Sequence, residues 1–128
     1  MADSEMRKKF LVVMSTGASE PKKAFTPFYY AAAAASMGFE TTMFFLAESP
    51  SLLKPGVAEQ VRTTADGEPL TKVIDLGRRN GVKFLCCSVS AKVIWNIADD
   101  GLPEGMEFAG AATLLEMAAD PEVAVLYF

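Results

Sequence analysis

Histidine is missing altogether, cysteine occurs only twice, and no run of Lys or Arg exceeds three residues in the 128. Each shortage excludes a chemistry. Without imidazole there is no Ser-His-Asp or Cys-His couple and no His-ligated zinc, and two adjacent thiols lack the spacing of a zinc ribbon, so no metal is expected. The balance is acidic, 12 Lys plus Arg against 16 Asp plus Glu for a formal charge of -4. Such a surface does not neutralise phosphates, which sets nucleic acid aside as a partner. The apolar run Phe10–Met14 is too short for a signal peptide. The longest uncharged stretch, Ala24–Phe39, is alanine-rich and contains Thr26, Pro27 and Ser36, so no membrane span is expected. A cytoplasmic protein follows from this reading, and in that compartment Cys86 and Cys87 remain free for redox or sulfur chemistry.

What is present is apolar: 51% of the residues, enough to build one core in one domain without disulfides. After a polar tail over positions 1–7, Lys8–Met14 reads as a strand buried on both faces and runs into the loop Ser15-Thr16-Gly17-Ala18-Ser19. A helix follows, opened by Ser19 ahead of Pro21 or by Thr26 ahead of Pro27 and closed by Gly38. Glu40–Leu46, β-branched and aromatic, is a second strand. Residues 47–68, broken by Pro50, Pro55, Gly56 and Gly67, form an excursion with one short helix near Val57–Val61. Leu70, Val73, Ile74 and Gly77 recur at helical spacing and end in Arg78-Arg79-Asn80-Gly81, where cations suit the helix dipole.

Val82–Cys87 is a third strand, and Ala91, Ile94, Trp95 and Ala98 predict a helix after it, ended by Asp100-Gly101. A short strand at Glu107–Ala109, a helix over Ala111–Ala119 and a buried strand Val123–Phe128 complete the chain. This alternation predicts a single three-layer α/β/α domain around a mainly parallel, flavodoxin-like sheet of five strands. The first helix shows no charge on any face from Ala24 to Phe39, so a second subunit is expected to cover Phe28, Tyr29, Tyr30 and the alanine run.

Ligands of parallel sheets bind at the carboxyl ends of the strands. Two junctions there carry polar groups: Ser15, Thr16 and Gly17 after the first strand, and Cys86-Cys87-Ser88-Val89-Ser90 after the third. Neighbouring strand residues point to opposite faces, so one thiol at most meets the crevice. Cys87, the last residue before the turn, is the better candidate, with the amides of Val89 and Ser90 at the next helix start, and with Ser88 and Lys92 as further donors to an anion. The plain alternative makes both thiols small buried hydrophobes. The first loop resembles the phosphate-cradling turn of flavodoxins in part, with Met14 where that turn has a hydroxyl residue and no Gly-x-Gly-x-x-Gly or Walker pattern anywhere. A non-catalytic oligomer that binds a small anion, nucleotide or flavin in the crevice is therefore the competing reading. No cofactor is expected under the first.

Four stretches, Lys22–Phe28, Ala34–Phe45, Gly81–Ser90 and Ala109–Ala112, resemble the DsrE/DsrF-like superfamily of sulfur carriers that includes the TusD-type relay proteins. The resemblance spans Lys8–Phe128. It implies that a cysteine at a strand end, here Cys87, accepts sulfane sulfur as a persulfide and hands it on. It also implies homo-oligomers, commonly dimers, trimers or hexamers, and a protein or small sulfur compound as donor and acceptor. Cys86 has no place in that pattern. The Pro-x-x-x-Thr-x-x-Cys arrangement of peroxidases is absent around either thiol, so peroxide reduction is not implied.

Overall fold

Strands with apolar residues in unbroken succession have to be covered on both sides, and the topology supplies both covers. The computed structural model describes residues 8–128, so the tail assigned to positions 1–7 lies outside the described residues. Five strands, β1 (Lys9–Met14), β2 (Glu40–Phe45), β3 (Lys83–Cys87), β4 (Met106–Ala109) and β5 (Val123–Tyr127), form one sheet in the order β4-β3-β2-β1-β5. Every pairing is parallel. The expected α/β architecture with five strands is what the chain adopts.

From β1 to β4 the chain steps across the sheet in one direction, and it then jumps back to place β5 beyond β1. Right-handed crossovers make such a reversal change faces. Accordingly α1 (Pro21–Ser36) and α2 (Leu70–Arg79) cover one face, packed on Val12, Met14, Met43, Phe45, Phe84 and Cys86. The other face, with Leu11, Val13, Phe44, Leu85 and Val123, is met by α3 (Ala111–Ala119) through Leu114 and Met117. That helix, about 13 Å long, buries none of its residues fully and is narrower than a sheet about 19 Å across. Leu115, Val125 and Tyr127 consequently remain exposed on this side.

Several local expectations change. Helix α1 opens at Pro21 with Glu20 in the capping position, so neither Ser19 nor Thr26 caps it, and Pro27 lies buried inside it. Phe28 does not face outward: it is 1% exposed and its ring sits 5.6 Å from that of Phe45. Ala31, Ala32 and Ala34 are buried too, because α2 and the sheet both pack against α1. The uncharged part of the helix therefore has less to hide than its composition implied, and of the proposed interface residues Tyr29, Tyr30 and Ala33 stay exposed while Ala35 is half-buried.

The helix expected after β3 is also replaced. Only a π-helical turn, Ser90–Ile94, forms there, and Asn96 in the left-handed region (φ 56) ends it. Ala91 and Ile97 are buried, whereas Ile94 is exposed, so the helical spacing read from Ala91, Ile94, Trp95 and Ala98 does not describe the packed face. In the excursion, Ala58–Gln60 is a short 3-10 turn close to the expected helix. A second one, Ser49–Leu53, is wholly buried, held by Ser49 Oγ donating to the Met14 carbonyl at 2.6 Å.

Candidate functional site

Alternation along β3 separates the two thiols. Cys86 points into the core under α1 and α2, with no exposure. Burial first, and then the neighbouring Cys87, push its thiol up to about 12, so it stays protonated at neutral pH. Cys87 points to the α3 side, is half-buried, and packs at the edge of the cluster around Leu85 and Phe44. The expectation for the pair, one inward and one toward the strand-end surface, agrees with this geometry.

Around Cys87 the surroundings differ from those inferred. The β3–β4 register sets Cys87 beside Ala109, and Ser88 Oγ donates to the Ala109 carbonyl at 3.2 Å. Gly110, which has no side chain, follows as the N-cap of α3, and no side chain caps that helix. The first-turn amides of Ala111, Ala112 and Thr113, on exposed residues, thus begin beside the end of β3 and lack an intrahelical partner. Sequence reasoning looked to the amides of Val89 and Ser90 instead. The signal for α3 was available: Gly is an accepted N-cap residue, and it directly precedes the Ala111–Ala119 run.

The other expected donors are engaged elsewhere. Ser90 is buried, and its Oγ accepts the Ala47 N–H at 3.1 Å, so it braces the turn. Lys92 Nζ lies 2.7 Å from Asp99 Oδ1 and 4.6 Å over the Phe108 ring. The hydrogen bond from Lys92, and then its charge, hold the Asp99 carboxyl below the usual carboxylate range. Val89 is 65% exposed and, with Val93 and Ile94, makes an apolar rim downstream of Cys87.

The loop after β1 does not join this site. Strand β2 stands between β1 and β3, which puts the two strand ends about 10 Å apart. Ser15 donates through both its backbone N–H and its Oγ to the Phe128 carbonyl, at 2.7 and 2.9 Å. The Ala18 N–H donates to Ser51 Oγ at 3.1 Å. Gly17 is wedged so that a Cβ there would fall 2.5 Å from the Glu48 carbonyl oxygen and 2.8 Å from Ser51 Oγ. Ser15 is thus tied to the chain end and Gly17 is packed against the Ser49–Leu53 turn, which makes both structural parts of this loop. Gly17→Ala is expected to cost about 2 kcal/mol by overpacking, read as a lower urea midpoint at unchanged slope; an unchanged midpoint would show that the Ser49–Leu53 turn moves aside freely.

Among the described residues no helix is long and apolar enough to cross a membrane. The model of the DsrE/DsrF-like family matches residues 8–128. An uncharacterized protein of Methanocaldococcus jannaschii, MJ0760, is 31% identical over 118 residues, which cover 90% of this chain and 41% of that protein. The chain thus spans well under half the length of that relative. Two solved structures share the fold: the ychN protein of E. coli, with TM-score 0.76, 15% identity and coverage of 94% of this chain and 99% of that one; and MTH1491 of Methanobacterium thermoautotrophicum, a protein of unknown function, with TM-score 0.63, 12% identity and coverage of 95% and 99%.

Proposed function

We propose that this chain, which belongs to the DsrE/DsrF-like family, is a sulfur carrier that takes sulfane sulfur on Cys87 and passes it to an acceptor. The observation that carries the reading is the contrast within one dipeptide. Cys86 is sealed and protonated, while Cys87 emerges where β3 ends beside the uncapped start of α3. In the loading step the Cys87 thiolate attacks the outer sulfur of a donor R–S–S⁻; a new S–S bond forms, the donor's S–S bond breaks, and R–S⁻ leaves. No net oxidation occurs and no imidazole is required. Amides at a helix start favour negative charge on a nearby group, which suits a persulfide anion. Delivery reverses the step: an acceptor thiolate attacks the outer sulfur and Cys87 departs as thiolate.

Ser88 acts as a positioning residue by tying the turn to Ala109. The exposed Val89, Val93 and Ile94 offer a donor or acceptor protein an apolar landing surface next to the sulfur. Homo-oligomers and a reducing cytoplasmic setting, which keeps both thiols free, belong to the same proposal.

Exposure of the protein to polysulfide, followed by intact mass measurement, tests it. One sulfur atom, about 32 Da, is expected on the wild type and on Cys86→Ala, and none on Cys87→Ser. Added mass that survives in Cys87→Ser removes Cys87 from the mechanism. Failure of the wild type to gain mass, with Cys87 open to alkylation, leaves non-covalent anion binding as the better account.

A further inference from the structure

Thr42, on the central strand, is 7% exposed as a residue; its hydroxyl bonds to no described residue, and since no buried side-chain oxygen among them lacks a partner, this hydroxyl is open to solvent. It lies on the α3 side of the sheet, between Leu11 of β1 and Lys83 of β3 in register. There it borders a cavity of about 290 Å³ between α3 and the amino ends of the strands. The short helix accounts for the space: Leu114 and Met117 reach the sheet, and nothing larger fills the row below them.

The walls are chemically divided. Leu11, Leu85, Met117 and Val123 supply an apolar side. Lys9 lies 3.5 Å from Glu40 and 3.8 Å from Asp120, so two carboxylates share one ammonium at that end of the rim, and Lys83 brings the lining to neutrality. Lys83 has no ion pair among the described residues; Glu107, one row up on the adjoining strand, is not within ion-pair distance of it. Beside Lys83 stand the unpartnered Thr42 and, from α3, Thr113. One cation outside any ion pair, next to hydroxyls and facing an aliphatic wall, is locally complementary to the head group of a small amphiphilic anion.

We propose that this cavity binds a short aliphatic carboxylate, its head group on Lys83 and the Thr42 hydroxyl and its chain against Leu11, Leu85 and Met117. The volume suits a ligand of about eight heavy atoms. The site is separate from Cys87. Four residues of β3 put the two ends about 13 Å apart, and the row of Leu85, Phe44 and Val13 fills the sheet between them.

Titration of the full chain with hexanoate, followed by heteronuclear NMR, tests the proposal. Hexanoate is expected to bind saturably at one site with shifts centred on the Thr42 and Met117 signals. Hexan-1-ol and hexylamine, which keep the chain and lose the anion, are expected to bind about tenfold more weakly or worse. Lys83→Gln should lose about tenfold in hexanoate affinity, and the near-isosteric Thr42→Val should lose affinity while retaining the wild-type spectrum elsewhere. Cys87→Ser should bind as the wild type does, so this result stands apart from sulfur loading. Equal binding of hexanol and hexanoate, an unaffected Lys83→Gln variant, or no saturable binding would each overturn it.

Discussion

Iodoacetamide at pH 8 is expected to place one carbamidomethyl group on the native protein, at Cys87, and to leave Cys86 untouched until the chain unfolds. Two effects act together on Cys86. It has no solvent exposure, and a thiol pushed up to about 12 is ionised in only about one molecule in 10⁴ at this pH. An ordinary cysteine under the same conditions is about a thousandfold more ionised. Low ionisation and lack of access therefore both protect Cys86, whose labelling is expected to stay undetectable while the chain is folded. Peptide mapping of the alkylated protein reads it directly. Equal labelling of both thiols would mean that the β3 end opens in solution and would remove the contrast on which the carrier proposal rests.

The same displaced thiol makes stability depend on pH in a defined direction. Its folded value lies above the ordinary value of 9.0, so the folded chain holds this proton more tightly than the unfolded chain. Its contribution is complete below about pH 9 and falls as pH rises toward about 12, with a limiting slope of about 1.4 kcal/mol per pH unit. Urea midpoints of the wild type and Cys86→Ala should converge across that interval. Parallel curves would show that Cys86 titrates as a solvated thiol.

The strands were readable because their physics is local. Leu11–Met14, Thr41–Phe45 and Phe84–Cys86 are apolar or β-branched without interruption, as strands covered on both faces must be, and each is buried in the fold. The alternation that sends Cys86 inward and Cys87 outward is equally local. What lies around Cys87 depends on partners distant in sequence. Trp95 Nε1 donates to the Ala47 carbonyl at 2.7 Å and Ser90 Oγ accepts from Ala47. These bonds hold a single π-helical turn where apolar spacing alone suggests a regular helix. The strand order, which brings α3 over the thiol, is a long-range choice that no window of residues contains. Phe28 was misplaced for a different reason: in a helix apolar on every side the pattern has no phase, and only the position of α2 decides which face is inner.

Phe45→Ala is expected to lower unfolding free energy by about 3 to 5 kcal/mol, a large share of the 5 to 15 kcal/mol typical of a domain. The residue ends the central strand with no exposure. Its ring lies 5.6 Å from that of Phe28 on α1 and 6.2 Å from that of Phe84 on β3, so one truncation loosens a helix and two strands together. Chemical denaturation measures the loss, and Tyr127→Ala, at a residue 67% exposed on the edge strand, should by contrast change stability by less than about 0.5 kcal/mol. The register adds a second readout, because Phe45 stands directly beside Cys86. A cavity there gives the buried thiol room and admits small reagents, so Cys86 should become alkylatable in Phe45→Ala below the unfolding midpoint while Cys87 labelling is unchanged. A loss below about 1 kcal/mol, or continued protection of Cys86, would show that the three rings repack and that Cys86 is sealed by the helices rather than by this aromatic contact.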